Sequence, residues 1–525
     1  MADETLLYFV FGFGNGDYAE SLLARTSSVV KLIIYEPETT VFMNTYDEER
    51  LSRMLSDGRL MLVLRDEEQP DELEKLLDES IQAYNAEHIA TVILPGYKTA
   101  YENEYERIRQ VITQTVKERM NDKAGMMLHA ELPCKNELYA LSALADNTGC
   151  NKMFEAFSDR DMPVFIVSAG PSLDRNADEL KRAYKKALII VVSRASLLLD
   201  DRKIKADLVA QLDPKNDGFL DHDREGIHRI LISSRGDIEI QKKYRGKCIY
   251  YDFSDDLPGM GDVLKAMPVI EEHGGSVATY VFSLFLSYGF RHIILVGQDL
   301  AFGADESTYA RGDNRNTGSK EVEALVPGIN GGQVKTRHDW LSFLRFFEAQ
   351  IEKHPEAEVV DATEGGALIR GSRVMSLREA VDRYCTKEYP TEEILAGLTP
   401  FIQKEEAVKL RMKMLAIAEE LKETEADIRK FSAIGRRILS NRDKVSASDM
   451  RSYDSLYHRI LDSRAGNILI YYCEDIMQDY INNAVCFEAS GDERTKVRVE
   501  VETFDAMMKK IPELYEYMKS IYGES

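Results

Sequence analysis

The chain has 525 residues, of which 44% are hydrophobic and 30% charged, with 67 Lys and Arg against 90 Asp and Glu and a net charge of −23. That length makes roughly three domains, each able to bury its own core, and the composition is globular, not disordered or fibrous. The charge is −11 over residues 1–130, −7 over 131–390 and −5 over 391–525, so no segment carries the basic surplus of a nucleic-acid binder or of a chain drawn to an anionic membrane.

Six cysteines (Cys134, Cys150, Cys248, Cys385, Cys473 and Cys486) are far apart and make no CxxC. This excludes a disulfide framework and a structural zinc site of the usual spacing. The acidic start Met1-Ala2-Asp3-Glu4 lacks the basic region of a secretory signal. No apolar run approaches the ~20 residues of a membrane span. A cytoplasmic protein is expected.

Over residues 1–120 the apolar runs Leu6–Phe11, Val29–Tyr35, Arg59–Leu64 and Ile89–Leu94 read as buried strands. Asp17–Arg25, Thr39–Leu55 and Pro70–Glu87 between them have helical periodicity. This βαβ order predicts a Rossmann-like domain with a mostly parallel sheet. A helical lead-in broken at Pro133 then opens a central α/β domain over 121–390. Its predicted strands are Val164–Val167, Leu188–Val192, Leu208–Leu212, Ile230–Ser233, Lys247–Tyr251, Ile293–Val296 and Glu358–Asp361. Ser276–Tyr288 is an apolar helix bounded by Gly274-Gly275 and Gly289. From 391 to 525 the strand signal fades. Met414, Ile417, Leu421, Ile428 and Phe431 fall on one helical stripe, and a helical bundle is expected.

The first motif is Gly12-Phe13-Gly14-Asn15-Gly16 after strand one, with Glu36 ending strand two. Glycines let a backbone approach a phosphate, and an acidic group ~20 residues on can hold a ribose. Here the spacing is GxGxG, not GxGxxG, and Asp17 sets a negative charge nearby. Glycines needed only for packing are the other reading.

The second motif is the turn Ser168-Ala169-Gly170-Pro171-Ser172-Leu173, in which Ser172 is placed to cap a helix. Free N–H groups and a hydroxyl there would face a ligand at the strand's carboxyl end. Four further strand ends or helix starts carry polar groups: Ser193-Arg194, Gln211-Leu212-Asp213, Gly274-Gly275-Ser276 and Gly297-Gln298-Asp299. Polar groups at successive carboxyl ends are where an open parallel sheet binds its ligand. Tyr309 and Arg311 lie in the polar stretch Ala304–Gly318, which reads as a lid or an insertion. Asp361–Ala367 ends another strand with paired glycines. His338, just before the apolar helix Trp340–Ile351, can serve as a general base or be an ordinary solvated histidine. Asp221-His222-Asp223 matches the DxD that holds a metal in many sugar-transfer enzymes, or a solvated face.

Together these segments resemble the motility-associated-factor type of flagellin glycosyltransferase. The resemblance rests on the Gly-rich start with Glu36-Pro37, the Ser168–Leu173 turn, Gly274–Ala278 with Gly297–Leu300, and Asp361–Gly366 with Arg370-Gly371. The central domain is similar, more remotely, to bacterial sialyltransferases that use CMP-activated nine-carbon sugar acids. The resemblance implies a metal-independent, inverting transfer of a pseudaminic-, legionaminic- or sialic-type sugar from CMP to Ser/Thr of flagellin. It implies no cofactor beyond the CMP-sugar donor. By position it assigns Gly170, Pro171 and Ser172 to the CMP phosphate or ribose, and Arg194 and Asp213 to the nucleotide. Gly275 and Ser276 would hold the sugar carboxylate or phosphate, and Gln298 and Asp299, after the next strand, would stand around the nucleotide. Tyr309 would bond the departing phosphate, Thr363 and Glu364 would close on the cytosine, and His338 would be the base. The sialyltransferases carry asparagines where this chain has Arg194 and Asp213. Two alternatives remain: a pterin-diphosphokinase-like enzyme using Mg-ATP, with Asp213 and Asp299 as metal ligands, and a flagellin-binding chaperone with a vestigial nucleotide site. The C-terminal helices suit docking of a partner or a second copy.

Overall fold

Runs of Val, Ile, Leu and Phe closed by Gly, Pro or Asp become the strands of two parallel sheets in a computed structural model of the chain. The structure describes residues 5–45, 47–66, 72–82, 84–128, 130–215, 227–253, 257, 273–303, 307–310, 324–441, 446–490 and 493–523. Contacts divide the chain into two units, residues 1–131 with 418–516 and residues 132–417 with 517–525. The predicted helical segment 391–525 is thus shared between the units: residues 418–516 group with the first, 391–417 and 517–525 with the second.

In the first unit, β1 (Leu7–Phe11), β2 (Lys31–Glu36), β3 (Leu60–Leu64) and β4 (Ile89–Ile93) form a parallel sheet in the order β3-β2-β1-β4. Side chains alternate across a strand, so each sheet face collects every second residue. Leu7, Phe9, Phe11, Ile33 and Tyr35 pack on Ile108 and Ile112 of the helix Glu102–Leu128. Tyr8, Val10, Leu32 and Ile34 pack with Ala19 and Phe42 on the other face. The predicted helix Thr39–Leu55 forms as two, Thr39–Thr45 and Glu48–Leu55, because Asp47 caps the second by accepting from Arg50 N at 2.7 Å. The long helix Lys404–Ser440 carries the predicted stripe: Leu421, Ile428 and Phe431, in this unit, and Met414 and Ile417, which group with the second, are all buried. Phe431 stacks on Tyr453, with ring centroids 4.2 Å apart.

Among the described residues the second unit is built on nine parallel strands. They are β5 (Thr148–Gly149), β6 (Val164–Val167), β7 (Leu188–Val192), β8 (Ala206–Gln211), β9 (Ile227–Ser233), β10 (Cys248–Tyr251), β11 (His292–Val296), β14 (Glu358–Asp361) and β15 (Arg373–Val374). Their order is β15-β14-β11-β6-β7-β8-β9-β10-β5. A separate antiparallel hairpin joins β12 (Ala324–Pro327) to β13 (Gln333–Thr336). Val164, Ile166, Leu188 and Ile190 face the helices Val277–Ser287 and His338–Lys353, while Phe165, Val167, Ile189 and Val191 face Leu173, Leu180 and Leu377. Each such side chain contributes about 1.5–3 kcal/mol on burial. The helix Val277–Ser287 is buried throughout Ala278–Leu286, as a helix apolar all round must be.

The lead-in is interrupted just ahead of Pro133, between the helices Glu102–Leu128 and Glu131–Ser142, and Pro133 itself sits in the first turn of the second, where no intrahelical N–H is lost. Among the described residues no helix is long and apolar enough to cross a membrane. Cys134, Cys150, Cys248, Cys385 and Cys473 are buried free thiols.

Candidate functional site

The order of the large sheet reverses at β6: β7 to β10 extend to one side, and β11, β14 and β15 to the other. Loops leaving β6 and β11 in opposite directions open a crevice at their carboxyl ends. A cavity of about 260 Å³ lies there, near the lower end of the ~300–1,000 Å³ typical of ligand clefts. Its polar lining includes Ser168, Arg194, Asp213, Ser276, Gln298, Asp299, Thr308, Tyr309, Arg337 and Asp339. Val192, Val277, Trp340 and Phe343 supply apolar wall.

Three loops meet at backbone distance to form its floor. Gly170 N donates to Gly297 O at 2.8 Å, and Ala367 N to Asp299 O at 2.8 Å. Side chains would not fit. A Cβ on Gly170 would stand 2.0 Å from Asp299 Oδ2, and one on Gly297, whose φ is +63°, would stand 2.2 Å from Ser168 O. Leu300 and Glu364 also adopt left-handed backbone, with φ of 49° and 61°. Strain of this kind, about 1–2 kcal/mol per non-glycine residue, is held by surrounding contacts and gathers at functional loops.

Asp299 is the centre of this floor. It accepts from Ser172 Oγ at 2.7 Å and from Ser172 N at 3.2 Å. Burial pushes its carboxyl up to about 6, against the Ser172 bonds that pull it down. Asp361 at the end of β14 is likewise pushed up to about 6 by burial, with the Asp299 charge adding to the effect. Its Oδ1 accepts from Thr363 N at 3.1 Å.

The structure separates the sequence-predicted residues into three groups. Gly170, Pro171, Arg194, Asp213, Ser276, Gln298, Asp299 and Tyr309 all line the cavity. Ser172, Gly275, Thr363, Glu364 and His338 stand outside its lining. Arg311, the triplet Asp221-His222-Asp223 and most of Ala304–Gly318 lie outside the described residues.

The second group is engaged by the protein itself. Ser172 is fully buried and makes no side-chain cap; its hydroxyl and N–H are held by Asp299, not presented to a ligand. Thr363 Oγ1 accepts from Gln298 N at 3.3 Å. Glu364 Oε1 accepts from Leu377 N at 2.9 Å and Asn176 Nδ2 at 3.1 Å, which places its charge at a helix N-terminus. Ser276, although in the lining, forms a capping box with Thr279. His338 is half-buried and opens its helix between Arg337 and Asp339, both of which reach the lining.

Arg337 and Trp340 escape the sequence reading. They arrive through the β12–β13 hairpin, whose turn Gly328-Ile329-Asn330-Gly331-Gly332 carries a glycine-rich hairpin signal. Thr336 Oγ1 donates to Leu300 O at 2.7 Å and Phe302 N to Lys335 O at 2.9 Å, tying β13 to the β11 loop. Arg337 is thereby delivered to the cavity with its guanidinium 4.0 Å from the Trp340 ring. Arg194 lies over the Tyr309 ring at 4.2 Å, a cation–π contact of about 0.5–2 kcal/mol.

The N-terminal GxGxG is filled by the chain's own side chains. Tyr97 Oη donates to Glu36 Oε2 at 2.6 Å and accepts from Gly14 N at 3.2 Å. A Cβ on Gly12, whose φ is +96°, would stand 2.5 Å from the Tyr97 ring. Glu36 is fully buried and also accepts from Phe13 N at 2.8 Å and Glu38 N at 2.9 Å. Asp17 pairs with Arg50 at 2.6 Å. Gly12 makes room for a tyrosine, which is the packing reading of this motif.

These features define an α/β protein with a ligand-sized cavity at the switch point of a parallel sheet, joined to a second α/β unit that carries helices. Residues 135–305 match the family described as 6-hydroxymethylpterin diphosphokinase MptE-like. Across its length the chain is similar in fold to the solved MAf glycosyltransferase of Magnetospirillum magneticum AMB-1. The TM-score is 0.52 at 17% identity, over 98% of this chain and 80% of that one. No curated protein matches the chain.

Proposed function

We propose that the protein is a glycosyltransferase that moves a nonulosonic sugar from a CMP-activated donor to Ser/Thr hydroxyls of a flagellin. The likeness in fold to a glycosyltransferase over 98% of the chain carries this reading. The cavity supports it chemically. A CMP leaving group bears a single phosphate, so donors such as Tyr309 Oη and the guanidinium of Arg194 can stabilise it by local charge and hydrogen bonds. The acceptor oxygen attacks the anomeric carbon, the bond to phosphate breaks with its electron pair leaving on CMP, and His338 takes the hydroxyl proton. Direct displacement inverts the anomeric centre. Incubating the protein with CMP-sialic, CMP-pseudaminic and CMP-legionaminic acids and co-purified flagellin should add one sugar mass per modified site and release CMP. No mass gain and no CMP release with any donor sinks the reading.

The match of residues 135–305 favours a second reading, a pterin-diphosphokinase-like enzyme using Mg-ATP. Asp213 and Asp299, which both line the cavity, are the carboxylates such a reading requires. Thermal protection by CMP but not Mg-ATP supports the transferase, and the reverse supports the kinase. Flagellin capture with protection by neither supports the chaperone.

A further inference from the structure

An arginine guanidinium has five N–H donors in a rigid plane. In Arg337, Nε donates to Asp339 Oδ1 at 2.7 Å and Nη2 to Asp339 Oδ2 at 2.8 Å, a bidentate pair along one edge. Nη2 also reaches Tyr309 Oη at 3.4 Å. The Trp340 ring covers the guanidinium at 4.0 Å. Nη1, on the remaining edge, is buried and has no hydrogen-bond partner among the described residues. The residue as a whole is only 7% exposed, yet it lines the cavity. A carboxylate on one edge and an aromatic ring on the face fix the plane, and the Thr336 anchor fixes the backbone. A planar donor held this way keeps Nη1 in one fixed direction for an oxyanion oxygen, as a flexible ammonium does not.

We propose that Arg337 is the oxyanion receptor of the cavity, taking an oxygen of the ligand's phosphate or carboxylate on Nη1 and selecting anionic over neutral ligands. Asp339 and Trp340 are positioning residues for it. The inference requires only an anionic small molecule; naming that molecule a CMP-linked sugar acid rests on the function proposed above.

Trp340 is the only tryptophan in the chain and lies in the cavity wall, so its fluorescence reports occupancy directly. The probes are cytidine, CMP, N-acetylneuraminic acid, its methyl ester and inorganic phosphate. They are titrated into the full-length protein and into Arg337→Lys and Arg337→Met. If phosphate is the recognised group, both variants should bind CMP about 10–100-fold more weakly while cytidine changes less than about threefold. If it is the carboxylate, the same contrast should appear between N-acetylneuraminic acid and its methyl ester. Should Arg337→Met fail to fold, Arg337→Lys, which keeps charge and stem but loses the fork, decides alone. Equal losses for anionic and neutral probes overturn the receptor, as does unchanged anion affinity or a wild-type protein that answers to no anion. A wild type that ignores nucleotides and sugar acids but binds inorganic phosphate through Arg337 keeps the receptor and discards the CMP-sugar reading.

Discussion

Replacing Asp299 by Asn tests the floor of the cavity through its dependence on pH. In the folded protein burial holds this carboxyl at about 6, against a usual 3.8. A carboxyl raised on folding binds its proton more tightly when folded, so it stabilises the fold at low pH. That contribution is lost as pH rises through the folded value. A rise of this size is worth about 3 kcal/mol in full. Linkage leaves roughly half of it near pH 5 and almost none near pH 7. Asn keeps the size and a carbonyl acceptor for Ser172 N, but it does not titrate. The stability of Asp299→Asn relative to wild type should therefore rise by about 1 kcal/mol between about pH 5 and about pH 7. Urea unfolding followed by Trp340 fluorescence reads this in the unit that holds the site, since that residue is the chain's single tryptophan. Stability curves of the two proteins that run parallel across this range would show that Asp299 does not carry the raised carboxyl.

Further outcomes are expected from the same geometry. Gly297→Ala forces a Cβ to within 2.2 Å of Ser168 O at a φ of +63°; it should cost about 2 kcal/mol or more, seen as a lowered Tm. Glu36→Ala strips the acceptor from Phe13 N, Glu38 N and Tyr97 Oη. It should destabilise the N-terminal unit by about 3 kcal/mol and leave CMP affinity unchanged, measured by calorimetry and by Trp340 quenching. His338→Ala should lower kcat for sugar transfer by about 10²–10⁴-fold with CMP binding intact, and full turnover by this variant would remove His338 as the base.

The sheets were legible in the sequence because their strands are buried on both faces and read as unbroken apolar runs. Val164–Val167, Leu188–Val192 and Glu358–Asp361 form at the predicted bounds. What escaped has little hydrophobic content of its own. Thr148–Gly149 is a two-residue strand defined by its neighbour Cys248–Tyr251, and Gln333–Thr336 alternates exposed and covered positions in a small hairpin. The site was legible as a set of strand ends, but not the direction of each side chain. Ser172 resembles a cap and a phosphate donor in sequence, yet Asp299, 127 residues on, claims both of its donors. Arg337 resembles any surface arginine until Asp339, Tyr309 and Trp340 surround it. Tertiary partners of this kind leave no local spacing to read.

The first compact unit is assembled from two stretches, residues 1–131 and 418–516, with some 290 residues of the other unit between them. On a ribosome adding ~5–20 residues per second, the N-terminal strands therefore emerge roughly 15–60 s before the helices that complete their unit. The central sheet has nearly all of its own chain in hand during that interval. Both faces of the N-terminal sheet are nonetheless covered by helices from the first 128 residues, so its apolar core closes without waiting for the later helices. What waits for the end of synthesis is the joining of residues 418–516 to the first unit and of 517–525 to the second, not the burial of either sheet.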